Sequence, residues 1–138
     1  MNAAEFFNTV VKRNYEEFFI QKDDFRLLWN AIISMNTVAE YVALERRGYA
    51  QVPRKVLDDT AKQIRNKDLA LEELKSCAEA LKHVRKTTHS DKQGLFEITA
   101  TSTGVSANNR TTWEISSYDL VDVAQRAFKV LSALPELK

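Results

Sequence analysis

The stretch FRLLWNAIISMNTVAEYVALERRG, residues 25–48, decides the fold. At about 100° per residue its apolar side chains fill one broad arc of a helix: Phe25, Leu28, Trp29, Ile32, Met35, Ala39, Val42 and Ala43. The opposite side is polar and carries Arg26, Asn30, Ser34 and Thr37. Asp23 and Asp24 are suited to cap the start of this helix, and Gly48 follows three charged residues as a stop signal. The stretch therefore predicts a long central core helix.

Four further segments have helical spacing of their apolar residues. They are residues 3–20, residues 53 to about 65, a segment capped by Asn66 or Asp68 that runs to about Lys86, and a segment capped by Ser116 or Ser117 that ends near Pro135. Three Gly and two Pro are few for a chain of 138 residues, and this shortage also favours helices.

At residues 95–101 and 110–116 apolar and polar residues alternate, a period of two in place of the helical period. A polar turn lies between the two stretches, and this pattern is typical of a β-hairpin. Ala100 and Trp113 are expected on one face, and Thr99 and Glu114 on the other. The predicted fold class is mostly α: an up-down helical bundle of about five helices, with one β-hairpin at about 95–116 inserted before the last helix. Residues 1–138 form a single domain of ordinary size.

Composition excludes several classes of function. Lys and Arg number 20 and Asp and Glu number 19, so the net charge of +1 provides no overall field that attracts nucleic acid or anionic membranes. The single cysteine, Cys77, has no disulfide partner in the chain, and it lies on an apolar stripe as an inert, buried thiol does. The first residues resemble neither a signal peptide nor a membrane span. We expect a cytoplasmic protein that does not contact a membrane.

The basic stretch LKHVRKTTHSDK, residues 81–92, is the strongest candidate for a binding site. It gathers cations and both histidines near one helix end: Lys82, His83, Arg85, Lys86, His89 and Lys92. Such a cluster is able to hold a phosphate backbone, and a histidine beside cations is able to act as a general acid or base. Cations at a helix C-terminus are also stabilised by the helix dipole without any ligand, and we favour this second interpretation.

Asn36 lies near the edge of the apolar arc of the central helix, where an amide needs hydrogen-bond partners. It either lines a pocket or, as we favour, makes a hydrogen bond between helices. We predict no metal site, because Cys77, His83 and His89 do not share one helix face. The phosphate-binding, nucleotide-binding, serine-hydrolase and zinc-protease signatures are missing from the sequence, and no cofactor is predicted.

The order of elements resembles that of small bacterial helical domains akin to HEPN. The resemblance is carried by LLWNAIISMNTVAEYVALE, by a later helix ending in ALKHVRKTTH, and by the hairpin and closing helix after it. It implies either a dimeric, metal-independent ribonuclease, or a binding module that lacks the catalytic motif. The match to the catalytic motif is Arg85-Lys-Thr-Thr-His89, and it transfers only Arg85 and His89 as catalytic residues. In this stretch only three residues separate the arginine from the histidine, and no Asn, Asp or His follows the arginine.

We therefore predict a non-catalytic helical interaction module that acts through protein contacts and forms a homodimer. We expect the chain to self-associate because it contains a set of aromatic side chains that a small core is not expected to bury completely. The set comprises Phe6, Phe7, Tyr15, Phe18, Phe19, Trp29 and Trp113. The alternative is a ribonuclease or RNA-binding protein of HEPN-like type that uses Arg85 and His89. A monomeric mass by light scattering at tens of micromolar would contradict the homodimer.

Overall fold

The structure is a computed structural model that describes residues 1–49, 51–87, 99–103, 110–115 and 118–138. For residues 83–87, 99–103 and 110–115 it describes the course of the backbone.

The described residues form five helices and a small sheet, which confirms the predicted mostly helical bundle with a hairpin before the last helix. Helix α1, residues 3–20, joins Ala3–Phe6, a π-helical turn Phe7–Val11 and Lys12–Ile20. The other helices are α2 (Phe25–Arg46), α3 (Arg54–Asn66), α4 (Leu69–Thr87) and α5 (Leu120–Ser132), followed by a 3-10 turn, Pro135–Leu137. The strands are β1 (Thr99–Thr103), β2 (Arg110–Ile115) and β3 (Tyr118–Asp119).

Both ends of α2 are formed by the residues that the sequence indicates. The Asp24 side chain accepts a hydrogen bond of 2.9 Å from the Arg26 backbone N–H. At the other end Gly48 has a φ of 69°, the left-handed conformation that favours glycine. The Gly48 N–H donates to the Glu45 carbonyl at 2.9 Å, and the Tyr49 N–H donates to the Leu44 carbonyl at 3.1 Å. This pair of bonds is a Schellman motif, and it ends the helix as predicted.

Helix α2 is the centre of the bundle and contacts each of the other four helices. Its buried residues extend beyond one arc, and the prediction that Ser34 lies on an outward polar face is wrong. Ser34 is 7% exposed because α1 covers that side of α2. Its hydroxyl donates to the Ala31 carbonyl at 3.1 Å and accepts a bond from the Asn14 amide at 3.3 Å. Burial of this hydroxyl is therefore compensated.

The aromatic side chains of α1 pack largely within the fold. Phe7 and Phe18 are buried, and the Tyr15 ring stacks on Phe128 of α5 with ring centroids 3.9 Å apart. Phe6 stacks on Tyr41 of α2 at 4.2 Å. Contacts between aromatic rings of this kind add to the free energy of burial. These rings are used to hold α1 on α2 and α5, so they give less reason to expect a partner than the sequence indicated.

The sheet is antiparallel, in the order β1-β2-β3. Its register pairs Ala100 with Trp113 and Thr99 with Glu114, the pairs that the alternation predicts for shared faces. Because Tyr118 and Asp119 form β3 and pair with β2, the start of α5 differs from the prediction. The cap is Asp119, whose carboxylate accepts from the Val121 and Asp122 N–H groups at 3.0 and 3.3 Å, in place of Ser116 or Ser117.

Among the described residues one helix, α2, is long and apolar enough to cross a membrane, with a mean hydropathy of 1.2 over its most apolar window. In that window 61% of the residues are buried inside the bundle. The core helix of a soluble protein has the same length and composition, and the packing of α2 accounts for its apolar character.

Candidate functional sites: a polar cleft and an apolar groove

A polar cleft of about 360 Å³ lies between α2, α3 and α4. Apart from Asn36, every side chain that lines it is charged, and the two signs occur equally often. The lining residues are Asn36 and Glu40 of α2; Asp58, Asp59, Lys62 and Arg65 of α3; and Lys75, Glu79 and Lys82 of α4. The volume lies within the range of small-ligand sites in proteins.

Arg65 is the most unusual residue of the cleft, because it is only 8% exposed. Its Nη2 donates a 2.9 Å hydrogen bond to the backbone carbonyl of Asn36, which ties α3 to α2. Its Nε is buried and has no hydrogen-bond partner. No carboxylate of the described residues forms an ion pair with it. Desolvation by burial lowers the pKa of Arg65, and the more distant Glu40, Glu79 and Asp58 partly oppose this effect.

Asn36 is also 8% exposed, and its side-chain Oδ1 is buried without a partner. The sequence analysis favoured a hydrogen bond from the Asn36 amide to another helix. A bond between helices does form at this position, but the backbone carbonyl of Asn36 makes it with Arg65. The cleft thus contains an unpaired buried acceptor on α2 beside a residue with an unpaired buried donor on α3.

Most carboxylates around the cleft already have a cationic partner. Arg54 lies 3.9 Å from Glu40 and 3.1 Å from Asp58, and Lys75 lies 3.8 Å from Glu79. Within the described part of the chain, Lys62 and Lys82 are exposed and form no ion pair. The positive charges of Lys62, Lys82 and Arg65 are therefore those that lack a close counter-ion.

The structure brings two of the sequence-predicted binding residues, Asn36 and Lys82, to the same cleft. His83, Arg85 and Lys86 lie in the last turns of α4, and their side chains are outside the described part of the structure. His89 lies wholly outside the described residues. The ribonuclease hypothesis therefore stays a prediction.

An apolar groove of about 680 Å³ lies on another side of the bundle. Residues from the end of α3, the start of α4 and the end of α5 line it. Ile64, Ala70 and Leu71 form a buried floor, whereas Leu69 is 65% exposed at its edge. Val130, Ala133 and Leu134 add further apolar surface.

Four cations and one carboxylate, Asp68, also line the groove. Two cations are already engaged: Arg46 Nε donates to Glu136 at 2.6 Å, and Arg126 bonds to both Glu73 and Asp122. The others, Lys67 and Lys129, are exposed and have no ion-pair partner among the described residues. The groove therefore combines an apolar floor with two lysines at its rim that form no direct ion pair among the described residues, although Glu136 interacts with Lys67 at longer range.

The remaining candidate side chains have structural surroundings. Cys77 is 1% exposed, and desolvation raises its pKa to about 12, which confirms the expectation of an inert buried thiol. The ion pair of Glu73 with Arg126 joins α4 to α5 and leaves the Glu73 side chain 17% exposed. In the described ranges no group of three or more His, Cys, Asp and Glu residues is placed to hold a metal ion.

Sequence reasoning missed Arg65, Leu69, Lys67 and Lys129, although the sequence contains a signal for each site. Asp58, Lys62 and Arg65 recur at helical spacing, as do Lys75, Glu79 and Lys82, so each set marks a charged stripe on one helix face. Leu69 is out of phase with the buried stripe that begins at Leu71. Only the packing of α3 against α4 shows that these features line concave surfaces.

Neither the protein-family models nor the curated proteins nor the solved structures with which we compared the chain match it. The HEPN-like resemblance is thus carried by the sequence pattern alone, and the function has to be argued from the cleft and the groove.

Proposed function

We propose that the protein is a non-catalytic helical interaction module whose apolar groove binds an acidic amphipathic segment of a partner protein. The observation that carries the proposal is the exposed Leu69 beside a buried apolar floor, with Lys67 and Lys129 at the rim. A large apolar side chain that is 65% exposed next to a groove gains free energy when a partner covers it.

The rim charges favour an acidic partner. Lys67 and Lys129 form no direct ion pair among the described residues, and Glu136, which interacts with Lys67 at longer range, already bonds to Arg46. Asp or Glu side chains flanking an apolar face would therefore complement the two lysines. An amphipathic helix laid into an apolar groove is a common mode of peptide recognition, and its anchors recur at three- and four-residue spacing. The partner segment is therefore expected to alternate apolar anchors with carboxylates.

The homodimer predicted from the sequence needs a different surface. If the axis of a two-fold symmetric dimer passed through the groove, the groove would meet its own copy and bring Lys67 and Lys129 close to their own copies. Such an arrangement places like charges together and leaves both concave surfaces unfilled. The groove is accordingly assigned to a partner other than this chain, and self-association stays a separate prediction.

Selection from a displayed library of random peptides tests the proposal and requires no candidate partner. We expect enriched peptides with apolar residues at helical spacing and several Asp or Glu residues, because these match the floor and the rim. Their binding should be lost in Leu69→Asp and kept in Ile20→Asp, a matched change at an exposed apolar residue outside the groove. Failure to enrich any peptide, or binding that Leu69→Asp leaves intact, would contradict the proposal.

A further inference from the structure

Arg65 carries a charge that the described residues leave without a close counter-ion. It is 8% exposed, and among the described residues its side chain donates one hydrogen bond, to the neutral backbone carbonyl of Asn36. Buried charges in proteins are normally paired, because removal of an ion from water without compensation costs several kcal/mol. An anion that enters the cleft would supply the missing partner.

The unpaired atoms indicate two complementary groups on the ligand. Arg65 Nε requires an acceptor, and a carboxylate is the acceptor that suits a guanidinium best. Asn36 Oδ1 requires a donor, such as an ammonium N–H. Asn36 and Arg65 both line the cleft, and the 2.9 Å bond from Arg65 Nη2 to the Asn36 backbone carbonyl makes them neighbours there, so we place one small molecule against both residues.

Side chains of both signs line the cleft, and they disfavour a ligand whose charges are all of one sign. Four cations and four carboxylates line the cleft, and a multiply charged anion would meet Asp59, which forms no ion pair among the described residues, beside the paired carboxylates Glu40, Asp58 and Glu79. A molecule that carries one positive and one negative group matches this mixed lining. A volume of about 360 Å³ suits a compound of a few heavy atoms better than a polymer.

We propose that the cleft between α2, α3 and α4 binds a small zwitterion of the amino-acid class. Its carboxylate accepts a hydrogen bond from Arg65 Nε, and its ammonium group donates to Asn36 Oδ1. Lys62 and Lys82 line the same cleft and add positive charge to it. Both key atoms are shielded from solvent in the ligand-free fold, so binding includes rotamer changes of the lining side chains.

Titration of ¹⁵N-labelled protein with each of the standard L-amino acids at millimolar concentration, followed by NMR, tests this site. We expect at least one amino acid to give saturable shifts of the Arg65 Nε–H and Asn36 side-chain amide signals. Acetate and methylammonium, each carrying half of the zwitterion, should bind at least about tenfold more weakly. Absence of shifts with every amino acid, or saturation by inorganic phosphate alone, would overturn the proposal.

Two variants of the cleft make the assignment specific. Arg65→Met removes the charge and keeps the length of the side chain, so amino-acid binding should be lost, whereas the matched surface change Lys55→Met on the same helix should leave it intact. Asn36→Asp places a carboxylate beside Arg65, and we expect a higher Tm together with the loss of ligand binding. Amino-acid binding that survives in Asn36→Asp would overturn the proposal, even if Arg65→Met failed to fold.

Discussion

Phe18 lies near the end of α1 and is completely buried against the core, whereas Ile20, two residues later, is 81% exposed. The two side chains are similar in hydrophobicity, and their different exposure follows from the helical turn between them. The stability of α1 in the bundle therefore depends on the face that carries Phe7, Val11 and Phe18, all of which are buried.

Replacement of Phe18 by Ala tests this difference. We expect Phe18→Ala to lower the free energy of unfolding by about 3–5 kcal/mol, because it removes a buried ring and leaves a cavity. Ile20→Ala is the control and should change it by less than about 0.5 kcal/mol. Urea unfolding of both variants measures the difference, and equal effects would show that α1 does not pack by this face.

Cys77 provides a second test at the level of one residue. Its thiol is 1% exposed and has a pKa of about 12, so very little reactive thiolate forms near neutral pH. A disulfide reagent such as Ellman's reagent should label the native protein far more slowly than the urea-unfolded chain. Labelling of the native protein at the rate of a free thiol would contradict the burial of Cys77.

The buried polar residues of this bundle fall into two pairs that differ in their hydrogen bonding. Ser34 and Thr60 are buried with their hydroxyl groups hydrogen-bonded to neighbouring carbonyls. Arg65 and Asn36 are equally buried, yet each keeps a polar atom without a partner. We infer that the first pair serves packing, and that the second pair is kept for a ligand.

At the level of elements, the C-terminal 3-10 turn is fastened to the end of α2 by one ion pair. Arg46 Nε donates to Glu136 at 2.6 Å, and this hydrogen bond is the main reason that the pKa of Glu136 lies below its ordinary value of 4.5. A carboxyl group whose pKa is lower in the folded state stabilises the fold above its unfolded pKa, and this contribution is lost as the pH falls through the folded value.

The variant Glu136→Gln removes this titration. At pH 7 we expect it to be less stable than the wild type by at most about 1 kcal/mol, because Arg46 is partly exposed. Below pH 4.5 the wild type should lose this advantage, and the two stability curves should converge. Urea unfolding at several pH values measures the curves, and a constant difference down to pH 3 would exclude Glu136 as the cause.

The sequence predicted the elements well where their ends depend on neighbouring residues. Asp24 and Gly48 act within one turn of α2, and the structure confirms both. The cap of α5 was mispredicted because Tyr118 and Asp119 pair with β2, which keeps the chain extended beyond the two serines. Pairing between strands is a tertiary contact, so local capping preferences cannot reveal it.

At the level of the whole molecule, the sequence predicted the bundle but not its concave surfaces. The periodicity of one helix shows which side chains share a face, and Asp58, Lys62 and Arg65 have the appearance of an ordinary solvated stripe. Their stripe becomes a cleft wall only because α4 packs with Lys75, Glu79 and Lys82 towards it. The groove at Leu69 likewise depends on how α3, α4 and α5 meet.

A non-catalytic module should leave RNA intact. We expect no cleavage of single-stranded RNA by the purified protein in the presence of EDTA, since the sequence departs from the HEPN-like catalytic motif between Arg85 and His89, where it has only three residues and no Asn, Asp or His after the arginine. Gel electrophoresis after prolonged incubation measures this. Cleavage that disappears in a His83→Ala/His89→Ala variant would instead establish the ribonuclease alternative.

Charge reversal at the rim of the groove beside Leu69 tests the claim that this groove binds an acidic amphipathic segment. The dissociation constant of a selected acidic peptide is measured by fluorescence anisotropy for the wild type, for Lys67→Glu/Lys129→Glu and for the control Lys62→Glu, which lies in the cleft. We predict at least about tenfold weaker binding to the double variant and unchanged binding to the control. Equal affinities for all three proteins would contradict the claim.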